Sequence, residues 1–317
     1  KSDAQIAEAL ITHEINKAGH TVSRDKVTQP VTVQYRDPGF IRFESANMQS
    51  LYSHILHTVF FVRQSTGSII MSEWMDAPIT IGDKRYRIGI GGLHSMEQSQ
   101  YITCTPDMML VDYDVASYYP SIILQQGLYP AAVGEEFIGV YRNIFKRRIK
   151  AKKRAQEIAK IKVRTEELEV ELSYHKVQSD KLKLVLNSSF GKFGSKYSPF
   201  YSPDLLIQTT ITGQLALLML IERLNTCGVD VVSANTDGIV IYHHQDLLPT
   251  VKDIMFDWQL DTSYQLEATP YKILASRDVN NYVAVKPDGS TKGKGCFGEQ
   301  GLSKNPDLPI IYRAVTD

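Results

Sequence analysis

The hydrophobic positions change period several times along the chain, and each change marks an expected element. Ile6, Leu10, Ile11 and Ile15 recur at helical spacing, VTVQY at 31–35 alternates like a strand, and a second apolar helix is expected around Met48–Val62. From Ser68 to Gly92 the pattern becomes one of short strands with turn signals. It ends in IGIGGLHS, where Gly91-Gly92 implies a tight or closely approached backbone. MMLVDYDV (108–115) reads as a buried strand that runs into acids before the turn residues Ser117 and Pro120. Phe137, Val140, Tyr141, Ile144, Phe145 and Ile149 predict a helix within 135–160, and a second amphipathic stretch runs from about Glu166 to Phe190. With the charged turn between them they make an antiparallel helical hairpin. A third helix, Leu206–Leu224, leads to VDVVSANTDGIVIYHH, two β-rich runs broken by the hairpin signal Asn235-Thr236-Asp237-Gly238. The stretch 265–300 alternates strands with turns such as Pro287-Asp288-Gly289, and no internal repeat is present.

A chain of 317 residues, 43% hydrophobic and 22% charged, has room for one large or two medium globular domains. No run approaches the roughly 18 apolar residues of a membrane span, and the first residues lack the features of a signal peptide, so a cytoplasmic location is expected. Cys104, Cys227 and Cys296 lie far apart, which suggests neither a zinc site nor a disulfide framework. Equal numbers of basic and acidic residues, 35 of each, exclude a uniformly basic surface, but the charge is unevenly placed. Lys146 to Arg164 holds ten basic residues and one acid, Glu157, followed by Glu166, Glu167, Glu169 and Glu171. Such a run is commonly a solvated helix face, and gains meaning only beside something anionic. Because it begins with Lys1 rather than Met and stops within IIYRAVTD, the chain reads as a piece of a larger protein.

Asp114 and Asp237 are both expected where a sheet hands over to a turn. Two Mg²⁺ ions held by such carboxylates are a recurring device for in-line phosphoryl transfer, and the basic helix run could hold a triphosphate. Strand-end aspartates are also common turn residues, so spacing alone leaves both readings open.

Three motifs weigh on that choice. DVASYYPSII (114–123) resembles motif A of family B DNA polymerases, D-x-x-S-L-Y-P-S-I-I, with Tyr118 at the Leu position. KLVLNSSFG (183–191) resembles motif B, K-x-x-x-N-S-x-Y-G, with Phe190 for Tyr, and ANTDGIVI (234–241) occupies the place of motif C, Y-x-D-T-D-S. The resemblance runs from Gly91 to about Gly298; the first 90 residues match nothing specific. It implies an α/β (α+β) fold: a right-hand polymerase palm, an antiparallel sheet backed by helices, with a helical-hairpin fingers subdomain. The corresponding boundaries are an N-terminal region at 1–95, palm with motif A at 96–130, fingers with motif B at 131–194, palm with motif C at 195–300, and the palm end or a truncated thumb at 301–317.

The implied roles follow residue by residue. Asp114 and Asp237 are the catalytic metal ligands, with the Val115 carbonyl as a further ligand, for two Mg²⁺ ions or Mn²⁺ in their place. The amides of Ser117 and Tyr118 face the triphosphate, and Tyr119 is the steric gate against a 2′-hydroxyl. Lys183 and Asn187, four apart on one helix face, and Arg148 and Lys152, four apart on the other, form a cationic clamp on the nucleotide. Gly91, Gly92, Gly191, Tyr282, Lys292 and Lys294 are assigned to DNA.

Departures from the pattern matter too. Asn235 replaces the first motif C aspartate, Gly238 replaces its serine, and Asn281-Tyr282 stands where a K-x-Y primer contact is expected, without the lysine. If Asn235 merely stands in for a supporting carboxylate, Asn235→Asp should be tolerated and lower the Mg²⁺ requirement. Residues 1–90 contain no D-x-E pair, so no proofreading is expected of this stretch. The intervals between motifs leave no room for the long insertions of protein-primed relatives. The expected activity is template-directed extension of a DNA primer with deoxynucleoside triphosphates, in a phage-like system working in the host cytoplasm or nucleoid. The alternatives are a non-catalytic DNA-binding module and a split-polymerase subunit whose exonuclease and thumb lie elsewhere on the parent or on a partner chain. The cue for the latter would be an apolar surface on residues 1–60.

Overall fold

The computed structural model describes residues 2–298, so the expected chain end at 301–317 lies outside the described residues. In chain order the elements are α1 (Asp3–Lys17), β1 (Thr32–Gln34), α2 (Ala46–His57), β2 (Val59–Val62), β3 (Ile69–Ile70), β4 (Ile79–Ile81), β5 (Lys84–Arg87), β6 (His94–Ser95) and β7 (Gln100–Thr103). Then follow β8 (Met108–Val115), α3 (Tyr118–Gln125), α4 (Glu136–Ala159), α5 (Glu166–Phe190), α6 (Pro203–Thr226), β9 (Asp230–Asn235), β10 (Gly238–His244), α7 (Leu248–Thr262), β11 (Leu266–Tyr271), β12 (Ile273–Asp278), β13 (Asn281–Val285) and β14 (Thr291–Lys294). They form two compact units. The first takes the chain up to Arg36, His57–Met71 and Tyr119–Thr209; the second takes Asp37–Leu56, Ser72–Tyr118 and the chain from Thr210.

The first unit is helical, with one small sheet in the order β1-β2-β3. Ser2 caps α1 in a capping box with Gln5, and Thr165 caps α5 by accepting from the Leu168 amide. Helices α4 and α5 pack as a long pair: Ala155, Ile158 and Leu172 bury each other, and the Tyr141 hydroxyl donates to the Leu186 carbonyl at 3.1 Å. The helix expected around Met48–Val62 ends at His57 instead. Val59-Phe60-Phe61-Val62 is β-branched and aromatic, and its alternate residues face in and out while pairing Phe60 with Val33 and Phe61 with Ile70.

The second unit is built on a seven-stranded sheet, β11-β8-β10-β9-β6-β5-β4, and a four-stranded one, β14-β13-β12-β7, with antiparallel pairing throughout. Leu110, Val232 and Val240 of the larger sheet join Leu274, Tyr282 and Ala284 of the smaller in one buried cluster, and the alternate residues Val111, Val231, Ile239 and Ile241 are buried as well. The fold is therefore mixed α/β, antiparallel sheets backed by helices. Helix α7 had no sequence-based expectation; its inward residues Val251, Met255 and Trp258 are helically spaced, and the Trp258 indole donates to the Ala216 carbonyl of α6 at 2.7 Å. Helix α6 is, among the described residues, long and apolar enough to cross a membrane, which the sequence reading had not registered. Its most apolar window is 89% buried inside the protein, as befits a core helix.

Candidate active site

Along one face of β8 the side chains run Leu110, Asp112, Asp114, since every second residue of a strand points the same way. Leu110 belongs to the apolar cluster between the sheets, Asp112 is buried at its margin, and Asp114 is 43% exposed at its end. The strand thus carries acids from the core out to the rim. On one side β10 sets Gly238 directly opposite Asp114, and on the other β11 sets Glu267 opposite it.

The β9–β10 hairpin delivers the second carboxylate. Its turn is Thr236-Asp237, closed by the pairing of Asn235 with Gly238, and the Val115 amide donates to the Asp237 carbonyl at 2.7 Å. Asp114 and Asp237 are therefore neighbours across one strand pair, although 122 residues of chain separate them. Gly238 is needed where it stands: a Cβ there would lie 2.5 Å from Asp114 Oδ1 and 2.9 Å from the Tyr113 carbonyl. The serine of the family pattern would not fit. Ser117 and Thr236, both at φ 53°, hold left-handed backbone on either side of the acids, a conformation that costs a β-branched residue on the order of 1–3 kcal/mol. Gly92, at φ 134°, is approached by Thr236 so closely that a Cβ would meet it at 3.0–3.1 Å, and the Thr236 amide donates to the Leu93 carbonyl.

Lys292 balances the acids from β14. Its ammonium lies 2.9 Å from Asp112 Oδ2 and 3.5 Å from Asp114 Oδ2, while the Tyr271 hydroxyl also donates to Asp112 Oδ2. Burial, Asp112 and Asp237 together push the Asp114 carboxyl above the usual carboxylate range, against the pull of Lys292. Burial alone would lower the Lys292 ammonium, but Asp112 more than reverses this and the net direction is upward. Burial raises the Tyr282 phenol to about 12, and lowers the Lys294 ammonium despite the attraction of Asp237. Lys292, assigned to DNA from the sequence, is thus engaged by two carboxylates, and Lys294 sits 6.0 Å over the Tyr282 ring.

Asn235 does something no carboxylate could. Its amide donates to the Val279 carbonyl at 2.7 Å and to Asn280 Oδ1 at 3.3 Å, while its own oxygen accepts from the Thr236 hydroxyl at 3.1 Å. It ties the turn carrying Asp237 to the β12–β13 turn.

Among curated proteins, the chain is 25% identical over 138 residues to DNA polymerase 1 of Sulfolobus acidocaldarius and 24% identical over 135 residues to DNA polymerase 1 of Sulfurisphaera ohwakuensis. Each match takes in 42% of this chain and 15% of the relative's length. Among solved structures, a family B DNA polymerase from Pyrobaculum calidifontis aligns with a TM-score of 0.46 at 13% identity, over 72% of this chain and 31% of that one. No family model matches. Over these stretches the chain is distantly similar in sequence to DNA polymerases.

The remaining sequence-assigned residues divide between the units. In the second unit, Val115 lies beside Asp114 at the end of β8. The Tyr118 ring is buried: its hydroxyl donates to the Gly213 carbonyl at 2.6 Å and it packs edge-on against Tyr264, so the side chain serves the core. Pro120 lies in the first turn of α3, where its missing N–H costs nothing, and the expected turn is a helix start. Gly91 is exposed beside buried Gly92, and Tyr282 is part of the buried cluster. In the first unit, Tyr119 rests its ring 4.5 Å from that of Phe190. Lys183 and Asn187 are exposed on one face of α5, and Gly191 is exposed at its end. On α4, Arg148 is 6% exposed and lies in the inward stripe, while Lys152 is half-buried.

A metal fits the donor set at Asp114. Asp114 and Asp237 offer only hard oxygens, as Mg²⁺ and Mn²⁺ prefer. Asp112 is engaged by Lys292 and Tyr271, and among the described residues no group of three His, Cys, Asp or Glu side chains forms a cage. Two carboxylates suit an ion that completes its shell with substrate phosphates and water. The sequence reading missed Lys292 as counter-ion, because its distance from Asp112 in the chain hides that β14 and β8 meet.

Proposed function

We propose that this chain is the palm and fingers of a template-directed DNA polymerase, extending a DNA primer with deoxynucleoside triphosphates. The observation that carries the reading is the pairing of Asp114 and Asp237 at the ends of β8 and the β9–β10 hairpin, within strings resembling motifs A and C. The distant sequence similarity to archaeal DNA polymerases supports it. On this reading the second unit is palm, and α4 with α5 is the fingers hairpin.

Asp114, Asp237 and the Val115 carbonyl would hold two Mg²⁺ or Mn²⁺ ions, which when bound lower the pKa of the attacking primer hydroxyl and neutralise the departing pyrophosphate. The protein's own groups orient the reactants. Lys183, Asn187, Arg148 and Lys152 hold the triphosphate, with the amides of Ser117 and Tyr118. Tyr119, backed by Phe190, excludes a ribose 2′-hydroxyl by bulk. Gly91, Gly191 and Lys294 line the path of primer and template, while buried Tyr282 supports Lys294 and buried Gly92 supports the turn that carries Asp237.

The test is primer extension by the intact chain in Mg²⁺ and in Mn²⁺, beside Asp237→Asn. Extension lost in the variant even with excess metal supports the assignment; near-normal extension by the variant shows that Asp237 is no ligand. A second reading, a split-polymerase subunit, has its own cue. Ile6, Val31, Val59, Phe61 and Ile70 are exposed, Phe61 at 58%. Under that reading the chain alone fails to extend a primer and gains activity only with a partner chain.

A further inference from the structure

The basic run of α4 does not form one surface. At about 100° per residue, Arg142, Lys146, Lys150 and Lys153 fall within one quarter-turn of the helix, with Arg147 about 60° outside it, whereas Arg148 and Lys152 point to the other side. The four members of this lane and Arg147 are all exposed. Arg142, Lys146 and Lys150 repeat at i,i+4, so each repels the next and the helix is weaker for it. An ordinary solvated face relieves such repulsion with acids. Here none occurs from Gly139 to Lys153. Among the described residues, none of the five cations forms an ion pair. The next basic residue, Arg154, is bound by both Glu157 and Glu171.

Beside the lane lies open relief. A shallow groove of about 410 Å³ is lined by Gly139, Arg142, Asn143, Lys146, Arg147 and Lys150. It adjoins a second of about 340 Å³ between α1 and α4, where Ala18 and Val140 contribute apolar surface and Glu14 and Lys17 stand on the far wall. Gly139 leaves the N-terminal approach to the lane bare, with no atom within 4 Å of where its Cβ would be.

We propose that this face of α4 is a second nucleic-acid site, which binds the phosphate backbone of single-stranded DNA independently of nucleotide and metal. The repelling cations supply the affinity, and the anion relieves their repulsion. A single strand fits better than a duplex because the lane is one side chain wide. Over the eleven steps from Arg142 to Lys153 it rises about 16 Å, the length of a few nucleotides of one strand. Contacts to phosphates alone carry no sequence information, so binding is indifferent to sequence.

The inference rests on the reading that the chain handles DNA, and its test is separable from catalysis. Fluorescence anisotropy of a labelled single-stranded oligonucleotide is measured in EDTA, without nucleotide, across a salt series. The protein is compared with Arg142→Gln/Lys146→Gln/Lys150→Gln/Lys153→Gln, which keeps helix propensity and avoids every proposed catalytic residue. A control, Lys26→Gln/Lys176→Gln/Lys252→Gln/Lys272→Gln, removes the same charge elsewhere. Each lost phosphate contact lowers the slope of log K against log salt by about 0.7, so the lane variant should lose about 2.8 and bind several-hundred-fold more weakly at 0.1 M salt. The control should change little, and circular dichroism should show both folded. Equal losses in the two variants would overturn the proposal, leaving only net charge. So would a larger loss for duplex than for single strand, or for anionic vesicles than for either. A variant that binds the strand normally but fails to extend a primer would overturn it too, whereas an unchanged lane beside a dead Asp237→Asn enzyme would leave the catalytic reading intact.

Discussion

Replacing Lys292 by Met keeps the length and apolar stem of the side chain and removes the ammonium that faces Asp112 at 2.9 Å and Asp114 at 3.5 Å. Asp112 is 5% exposed on its side chain, so water cannot replace the lost partner, and the Tyr271 hydroxyl becomes its remaining donor among these groups. Breaking a fully buried ion pair costs about 3–5 kcal/mol. Lys292 is 38% exposed, and solvent screening on that side brings the expected loss to about 2–3 kcal/mol. The assay is urea unfolding at pH 7 of the wild type, Lys292→Met, Asp112→Asn and the double variant. Asp112→Asn/Lys292→Met removes the buried charge with its partner and should regain most of the stability, giving a coupling of at least about 1.5 kcal/mol between the sites. A Lys292→Met midpoint within about 0.5 kcal/mol of wild type, or a double variant no better than the single, would refute the view of Lys292 as the internal counter-ion of β8.

Gly238→Ala should lose about 1–3 kcal/mol by overpacking, and by displacing the Asp114 carboxylate should slow primer extension about 10²-fold. Asn235→Asp gives up two donated hydrogen bonds and faces a carboxylate at the Val279 carbonyl. It should therefore unfold about 1–3 kcal/mol more easily, contrary to the tolerance expected from sequence; an unchanged urea midpoint would restore that expectation. Asp114, with its folded pKa raised, binds more protons folded than unfolded between the two values. The contribution of this one group to stability is then greatest below the unfolded pKa of about 3.9 and falls as pH rises to the folded one. Asp114→Asn should abolish that fall and be more stable at pH 7, which unfolding from pH 3.5 to 7 will show. Tyr119→Val should raise ribonucleotide incorporation with deoxynucleotide extension largely kept, and an unchanged ratio would remove Tyr119 as the gate, since the buried Tyr118 ring is already committed to the core.

The elements with strong local signals were legible from the chain alone. The periodicity over 135–160 and from Glu166 to Phe190 became α4 and α5, and Asn235-Thr236-Asp237-Gly238 marked the hairpin between β9 and β10, because period and turn chemistry act within a few residues. Val59–Val62 could not be read that way: a short apolar run suits helix or strand equally, and pairing with Val33 and Ile70 decided it. The candidate acids were visible as residue types, but their neighbourhood was not. That Asp114 rests on Gly238, that Asp112 holds Lys292 from a strand 180 residues away, and that Asn235 is an amide because it must donate to Val279 all follow from strand register. Only folding sets that register, since it depends on which faces are buried across the whole sheet and not on any local run.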